Sequence, residues 1–192
     1  MLLFLAGQTL ASLGCALMVA LDWGADAYNI IVQGLSARSG YAHGTMSSLL
    51  QLILLLLCIP WGRRRIGPGT LICVVLVGVV INLTTPLLLF TAAAPLPARL
   101  LYALLVPTAI GAGVAMVQAA DIGMSSNDLL PLLLYERQHR LQFRTVRILY
   151  DAAQCLLGLA MGGRLGPCSV ITIALTGPSI QFFLGLRRKA KR

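Results

Sequence analysis

Charge is scarce in this chain. Asp, Glu, Lys and Arg make up 11% of its 192 residues, and only six are acidic; a soluble domain carries about 25% charged residues. That scarcity excludes an ordinary water-facing surface, so lipid is the solvent for most of the chain. Metal-ligand patterns are missing too. The five cysteines, Cys15, Cys58, Cys73, Cys155 and Cys168, have no ligand spacing and lie in or beside apolar runs, which suits small apolar fillers. His43 and His139 lack partners at metal or triad spacing, and no glycine-rich loop carries the Lys a phosphate cradle requires. Neither an enzyme nor a cofactor is expected. The N-terminus has no basic n-region, and Ser12 stands before Cys15 where a lipoprotein signal usually has Leu.

What is present is apolar sequence, 58% of the chain. Six stretches approach the roughly 20 residues that cross a bilayer: about 2–21, 44–61, 69–91, 98–119, 146–163 and 168–186. The fifth is short and carries Arg147 and Asp151. The expectation is an all-α polytopic protein with one membrane domain over residues 1–192. The net charge of +9 is explained by its placement. With both termini inside, twelve basic residues fall on the cytoplasmic side: Arg63, Arg64, Arg65, Arg137, Arg140, Arg144, Arg147 and the tail at 187–192. Only Arg38, Arg99 and Arg164 fall outside. This is the positive-inside bias, so membrane orientation explains the basic balance, with lipid as the partner of the basic tail, and nucleic acid does not.

The chain is written twice. Shifted by 99, Gly14 meets Gly113, Asp22 meets Asp121, Gly24 meets Gly123, Asn29 meets Asp128 and Arg38 meets Arg137. One extra residue then makes the shift 100, so Gly44 meets Arg144 and Gln51 meets Asp151. The shift returns to 99 where R-I-G-P-G-T at 65–70 meets R-L-G-P-C-S at 164–169, Gly78 meets Gly177 and Asn82 meets Gln181. Each half, about 1–91 and 98–186, holds three spans. An odd number inverts the second half, and inverted repeats are a common transporter plan. In each Gly-Pro phrase the proline suits a first helical turn, and Thr70 and Ser169 suit capping.

After the first span of each half comes a segment too short to cross, residues 24–36 and 123–135. Each opens on glycine with polar neighbours: Gly24, Asp26 and Asn29, then Gly123, Asn127 and Asp128. Two readings stand. The segments dip into the membrane from opposite faces and meet near its middle, their helix N-termini facing a ligand, or they lie flat as amphipathic helices. Asn82 and Gln181 lie deep in the third and sixth spans, as site residues or as interhelical glue. Arg147 and Asp151 stand one turn apart and suit a structural ion pair. Asp128 is the leading candidate for a proton-linked or substrate-binding carboxylate. Six glycines, Gly7, Gly14, Gly78, Gly111, Gly113 and Gly158, suit close packing, and Pro107 suits a kink.

These residues resemble the YczE/YyaS/YitT family of bacterial integral membrane proteins, its YczE-like branch above all. The family phrase Gly-x-x-Pro-Trp-Asp followed by Gln-Gly-Leu-Ser is matched by Gly24, Tyr28, Asn29, Gln33, Gly34, Leu35 and Ser36. A later Gly-x-Gly-Thr resembles Gly67, Pro68, Gly69 and Thr70. Gly-x-Gly-Pro-x-Asp is matched by Gly123 and Asp128, and an Arg followed by an acid on the fifth span by Arg147 and Asp151. The chain departs at Ala27 and Ser126, where the family usually has Pro, at Tyr28 in place of Trp and at Asn29 in place of Asp. The resemblance implies a divergent member of a family linked in part to production or export of secondary metabolites. Three functions remain open: a small transporter or exporter of a small molecule with a site at the repeat interface, a substrate-binding subunit of a larger transporter, or a scaffold. A homodimer is compatible with so small a chain.

Overall fold

The computed structural model describes residues 1–138 and 141–190, without the side chains of 64, 144 and 187–190. His139, Arg140 and the last two residues of the basic tail lie outside the described residues. Eight α-helices are described: α1 (Leu2–Leu21), α2 (Ala27–Ser39), α3 (His43–Gly62), α4 (Pro68–Leu88), α5 (Leu96–Ala120), α6 (Ser126–Gln138), α7 (Phe143–Ala160) and α8 (Pro167–Ala190). Short 3-10 turns follow α3 and α4.

Among the described residues, five helical stretches are long and apolar enough to cross a bilayer: Leu2–Leu21, His43–Gly62, Pro68–Ala93, Leu96–Ala120 and Pro167–Leu186. The chain is a multi-pass membrane protein. The expected fifth span at 146–163 differs. Its helix is 18 residues long and ends at Ala160, three residues early, where Gly162 takes φ +98°. Four polar side chains, Arg147, Tyr150, Asp151 and Gln154, recur along it at i, i+3, i+4 and i+7, one face of a helix. That stripe is why it misses the apolarity of a span. Leu71, Val75, Leu83, Val170 and Phe182 are exposed on α4 and α8, the side chains such a protein turns to lipid.

The centre is the crossing of α1 and α5, which run antiparallel. A Cβ on Gly14 would meet Ile110, and one on Gly113 would meet Ala11 and the Gly7 carbonyl. Only glycine permits backbones this near. Around this pair α4 packs on α1 and α8 on α5, while α2 packs on α7 and α3 on α6. Positions 99 apart exchange partners throughout. Ile110 and Ala11 are one such pair. Gly34 lies against Met161 on one side, and Leu133 lies against Gly62 on the other, so the small and large residues have traded places.

The repeated Gly-Pro phrase makes the tightest exchange. α1 and α5 both end in a left-handed residue, Asp22 (φ 49°) and Asp121 (φ 52°); Asp tolerates that conformation better than most residues. The turn after α5 gives its Ile122 carbonyl to the N–H of Gly69 (3.4 Å), and the turn after α1 gives its Trp23 carbonyl to the N–H of Cys168 (3.0 Å). Pro68 and Pro167 begin α4 and α8, as the phrase suggests. Capping differs from expectation. The Ser169 hydroxyl accepts from the Gly166 N–H (3.2 Å), but Thr70 Oγ1 is buried without a partner and Gly67 caps α4 with no side-chain bond. Pro107 lies within one continuous helix.

The three arginines assigned to the outer side are all held at helix C-termini, where cations meet orphan carbonyls. Arg38 donates to the Ala160 carbonyl (2.9 Å), and Arg99 donates to that of Leu21 (3.3 Å) while covering the Trp23 ring at 4.4 Å. Arg164 lies 4.0 Å from Asp22, the cap of α1. Arg147 leaves the cytoplasmic tally, because it sits on α7 beside two carboxylates rather than in a loop.

The two halves part company at one seam. In the first, α3 packs along α4: a Cβ on Gly78 would collide with Ser48 and the Gly44 carbonyl. In the second, α7 does not pack along α8 in this way, and a Cβ on Gly177 would meet nothing within 4 Å. Gly78→Ala is therefore expected to lower the thermal unfolding temperature in detergent, by an overpacking cost of roughly 1–3 kcal/mol. Gly177→Ala is expected to raise it slightly, since alanine favours a helix by about 0.5–1 kcal/mol over glycine. Equal shifts at the two positions would contradict the described seam.

Candidate functional site

The gap between α7 and α8 is a cavity of about 1190 Å³, whose walls also include α5, α6 and the start of α2. Of the residues singled out in the sequence, Asp26, Gly123, Asn127, Asp128, Gln181, Arg147 and Asp151 line it. Three do not. Gly24 (φ +97°) faces the backbone of Gly166 and the Ser169 hydroxyl. Asn29 is buried behind Asp26. Asn82 lies in the α3–α4 seam, where its Oδ1 accepts from the Gly44 N–H (2.9 Å) and its Nδ2 donates to Thr45 Oγ1 (3.0 Å). That is interhelical glue. Asn82 and Gln181, matched in sequence, have thus separated in role.

The short helices bring their first turns to this cavity. Asp26 caps α2, its Oδ1 accepting from the Asn29 N–H (2.8 Å). An N-cap oxygen satisfies one of the four orphan donors of a helix start. Residues Ala27, Tyr28, Asn29, Ile30, Ile31 and Val32 are all buried. Burial of six consecutive residues means that α2 enters the protein end-on; a helix lying flat would bury one face only. Tyr28 anchors the entry, donating to the Ser47 carbonyl (2.7 Å). Asn29 also donates from Nδ2 to Asp26 Oδ1 (3.0 Å), and its own Oδ1 accepts from His43 Nε2 (3.0 Å). Asp26 therefore ends a chain of polar groups reaching to the first turn of α3.

On α6, Asp128 occupies the first turn. Arg147 joins it to α7, donating from Nη1 to Asp128 Oδ1 (2.8 Å) and from Nε to Asp151 Oδ2 (3.2 Å). The expected Arg147–Asp151 pair is thus a triad that includes Asp128. Beside it, Asn127 Oδ1 accepts from both the Tyr150 hydroxyl (3.0 Å) and Gln154 Nε2 (2.8 Å). Tyr150, Gln154 and His43 were missed in the sequence. The first two were legible as members of the polar stripe with Arg147 and Asp151. His43 carried no such signal, because its partner Asn29 lies on another helix.

Removing Arg147 leaves two carboxylates facing one cavity. All three side chains are about one-third exposed, between 31% and 40%, so the cost falls below that of a fully buried pair. Arg147→Gln is expected to destabilise by roughly 1–3 kcal/mol, and adding Asp128→Asn to restore part of the loss. A double-mutant cycle on thermal unfolding reads the coupling; additive effects would mean that the 2.8 Å contact contributes nothing.

The chain belongs to a family described as a family of unknown function (DUF6198), whose model matches residues 1–185. It is similar to an uncharacterized protein of Haemophilus influenzae, 26% identical over 184 residues, with 96% of this chain and 83% of that one covered. No solved structure matches it.

Proposed function

We propose that this member of the DUF6198 family is a small secondary transporter or exporter of a small molecule, with its site in the α7–α8 cavity. One observation carries the reading. The first turns of α2 and α6, matched in sequence and entering from opposite ends of the bundle, line one cavity. Broken helices whose N-terminal ends converge on a single site are a recurring transporter device. On this reading the chain is a six-span, 3+3 inverted repeat, with α2 and α6 re-entrant and α7 the fifth span. The exchanged contacts 99 positions apart support the repeat. Arg38 at the Ala160 carbonyl and the Tyr135–Phe143 ring contact support a crossing by α7, because they tie its two ends to the C-terminal ends of α2 and α6. The polar stripe of α7 faces the cavity, which is how a helix with too little apolarity spans a membrane inside a bundle.

The same reading places the chain in the bacterial cytoplasmic membrane with both termini inside, and in the YczE-like branch that its phrases resemble. Lipid is its surrounding partner, a small molecule its ligand and a homodimer its assembly. Reporter fusions after residues 64, 140 and 163 test the topology. The expected outcome puts 64 and 140 on the cytoplasmic side and 163 outside; 140 and 163 on one side would remove α7 as a span. Flux tests the activity. Counterflow of labelled metabolites in proteoliposomes is expected with the wild type and to fall at least about tenfold in Thr176→Trp, which puts an indole into the cavity from its α8 wall. Equal flux from both proteins would move the site elsewhere.

A further inference from the structure

We infer that the cavity takes a lipophilic organic cation carrying an N–H donor, bound at the nitrogen by Asp26 and Gln154. This deepens the transporter reading and rests on it for the cavity being a substrate site.

Charge is the first ground. The cavity is lined by four carboxylates, Asp26, Asp121, Asp128 and Asp151, and two arginines, Arg65 and Arg147. Both arginines are engaged among the described side chains: Arg65 with Glu136 (2.5 Å), Arg147 with Asp128 and Asp151. Asp26 and Asp121 are paired with no cation there. Asp121 is exposed at the cavity's rim, whereas Asp26 is half-buried inside. Each short helix already presents its own carboxylate at its N-terminus, so neither end is left for an anion. The local field favours a positive ligand.

An orphaned acceptor is the second ground. Gln154 is 5% exposed and lines the cavity; its Nε2 is given to Asn127, and its Oε1 has no partner. A buried acceptor without a donor costs about 1–3 kcal/mol, and a ligand N–H would relieve it. Thr176 Oγ1, across the gap on α8, is also buried and unpartnered. The rest of the wall is largely apolar, with Leu132, Phe143, Ile148, Ile173 and Ile180. The volume exceeds the roughly 300–1,000 Å³ of ordinary small-molecule sites. The gap opens between two helices whose outer faces carry Leu149, Leu156, Val170 and Phe182, so the entrance borders hydrocarbon. A ligand dissolved in the bilayer fits such a door better than one arriving from water.

The test uses purified full-length protein in lipid nanodiscs, with empty nanodiscs subtracted, and calorimetric titration of four probes. Naphthylmethylamine has the ring, the charge and the N–H; its trimethylammonium analogue lacks the N–H; naphthoate reverses the charge; methylamine lacks the ring. Saturable binding is expected for the first two alone. Asp26→Asn keeps a capping oxygen for α2 and removes only the charge, so it is expected to weaken both cations by roughly tenfold or more. Gln154→Met keeps the volume and is expected to weaken the amine but not its trimethylammonium analogue. Naphthoate binding as tightly as the amine, or an unchanged affinity in a folded Asp26→Asn protein, would overturn the assignment. Proteoliposome uptake of the amine separates the two levels. Binding without flux overturns the transporter reading and leaves the site; flux of another solute with no amine bound does the reverse.

Discussion

Everything in this molecule hangs on two backbone hydrogen bonds that each join a Gly-Pro turn to the far half of the chain. The Gly69 N–H reaches the Ile122 carbonyl, and the Cys168 N–H reaches that of Trp23. Both bonds join a helix start to a helix end, where donors and acceptors would otherwise be orphaned. In a membrane those groups have no water to turn to. The clasp explains why neither phrase tolerates a larger residue. A Cβ on Gly67 would strike the Ile122 carbonyl, and one on Gly166 would strike that of Trp23. It also fixes where the chain leaves α1 and α5. The left-handed turns at Asp22 and Asp121 aim the following residues inward, and the short helices start from there.

From that constraint the cavity follows. α2 and α6 begin beside the clasps and run between the longer helices, each packed on the other half's third helix, α7 or α3. Asp26, the cap of α2, and Asp128, in the first turn of α6, are delivered to the interior by the turns that precede them. Carboxylates in such a place need partners, since an ionised group at membrane depth is costly. Arg147 supplies one to Asp128 and Asp151. Asp26 receives only amide donors, from Asn29. The two ends of the site therefore differ in kind: one is a pair of carboxylates bridged by an arginine, the other a carboxylate that no arginine reaches.

How much of this could be read from the residues varies with the range of the contact. The eight helices were legible almost whole, because apolar runs and Gly-Pro breaks are local signals. The matches between positions 99 apart were legible because Asp22 and Asp121, Gly24 and Gly123, and the two Gly-Pro phrases agree. Arg147 beside Asp151 was legible as an i, i+4 pair. Asp128 as its second partner was not, since nineteen residues and a helix break intervene. The weight given to Asp128 as the free carboxylate shifts to Asp26 for that reason. The purpose of the repeated phrase was only half legible. Proline announced a helix start, but the carbonyl it docks on belongs to the opposite half and leaves no mark in the local sequence.

The seam is open in the second half only. Three exchanges at matched positions bear on it. Gly44 becomes Arg144, Ser48 becomes Ile148 and Asn82 becomes Gln181. In the first half these residues zip α3 to α4. Gly44 lets the backbones touch, its N–H bonds Asn82, and Ser48 donates to the Val74 carbonyl (2.6 Å). Each replacement is larger, and Ile148 has lost the hydroxyl that made the last bond. A Cβ at the Gly44 position would strike the Gly78 carbonyl, so a zip of this kind needs glycine there. Gly177, still a glycine, then has nothing to pack against. The duplicated plan would close both seams; substitutions on α7 hold one of them open. An empty seam inside a membrane bundle forfeits packing contacts, so its persistence is most simply understood if something else fills it. The shape of that filler is set by what now surrounds the seam: branched aliphatic walls and one orphaned amide oxygen from α7 and α8, and the Asp26 carboxylate at the start of α2.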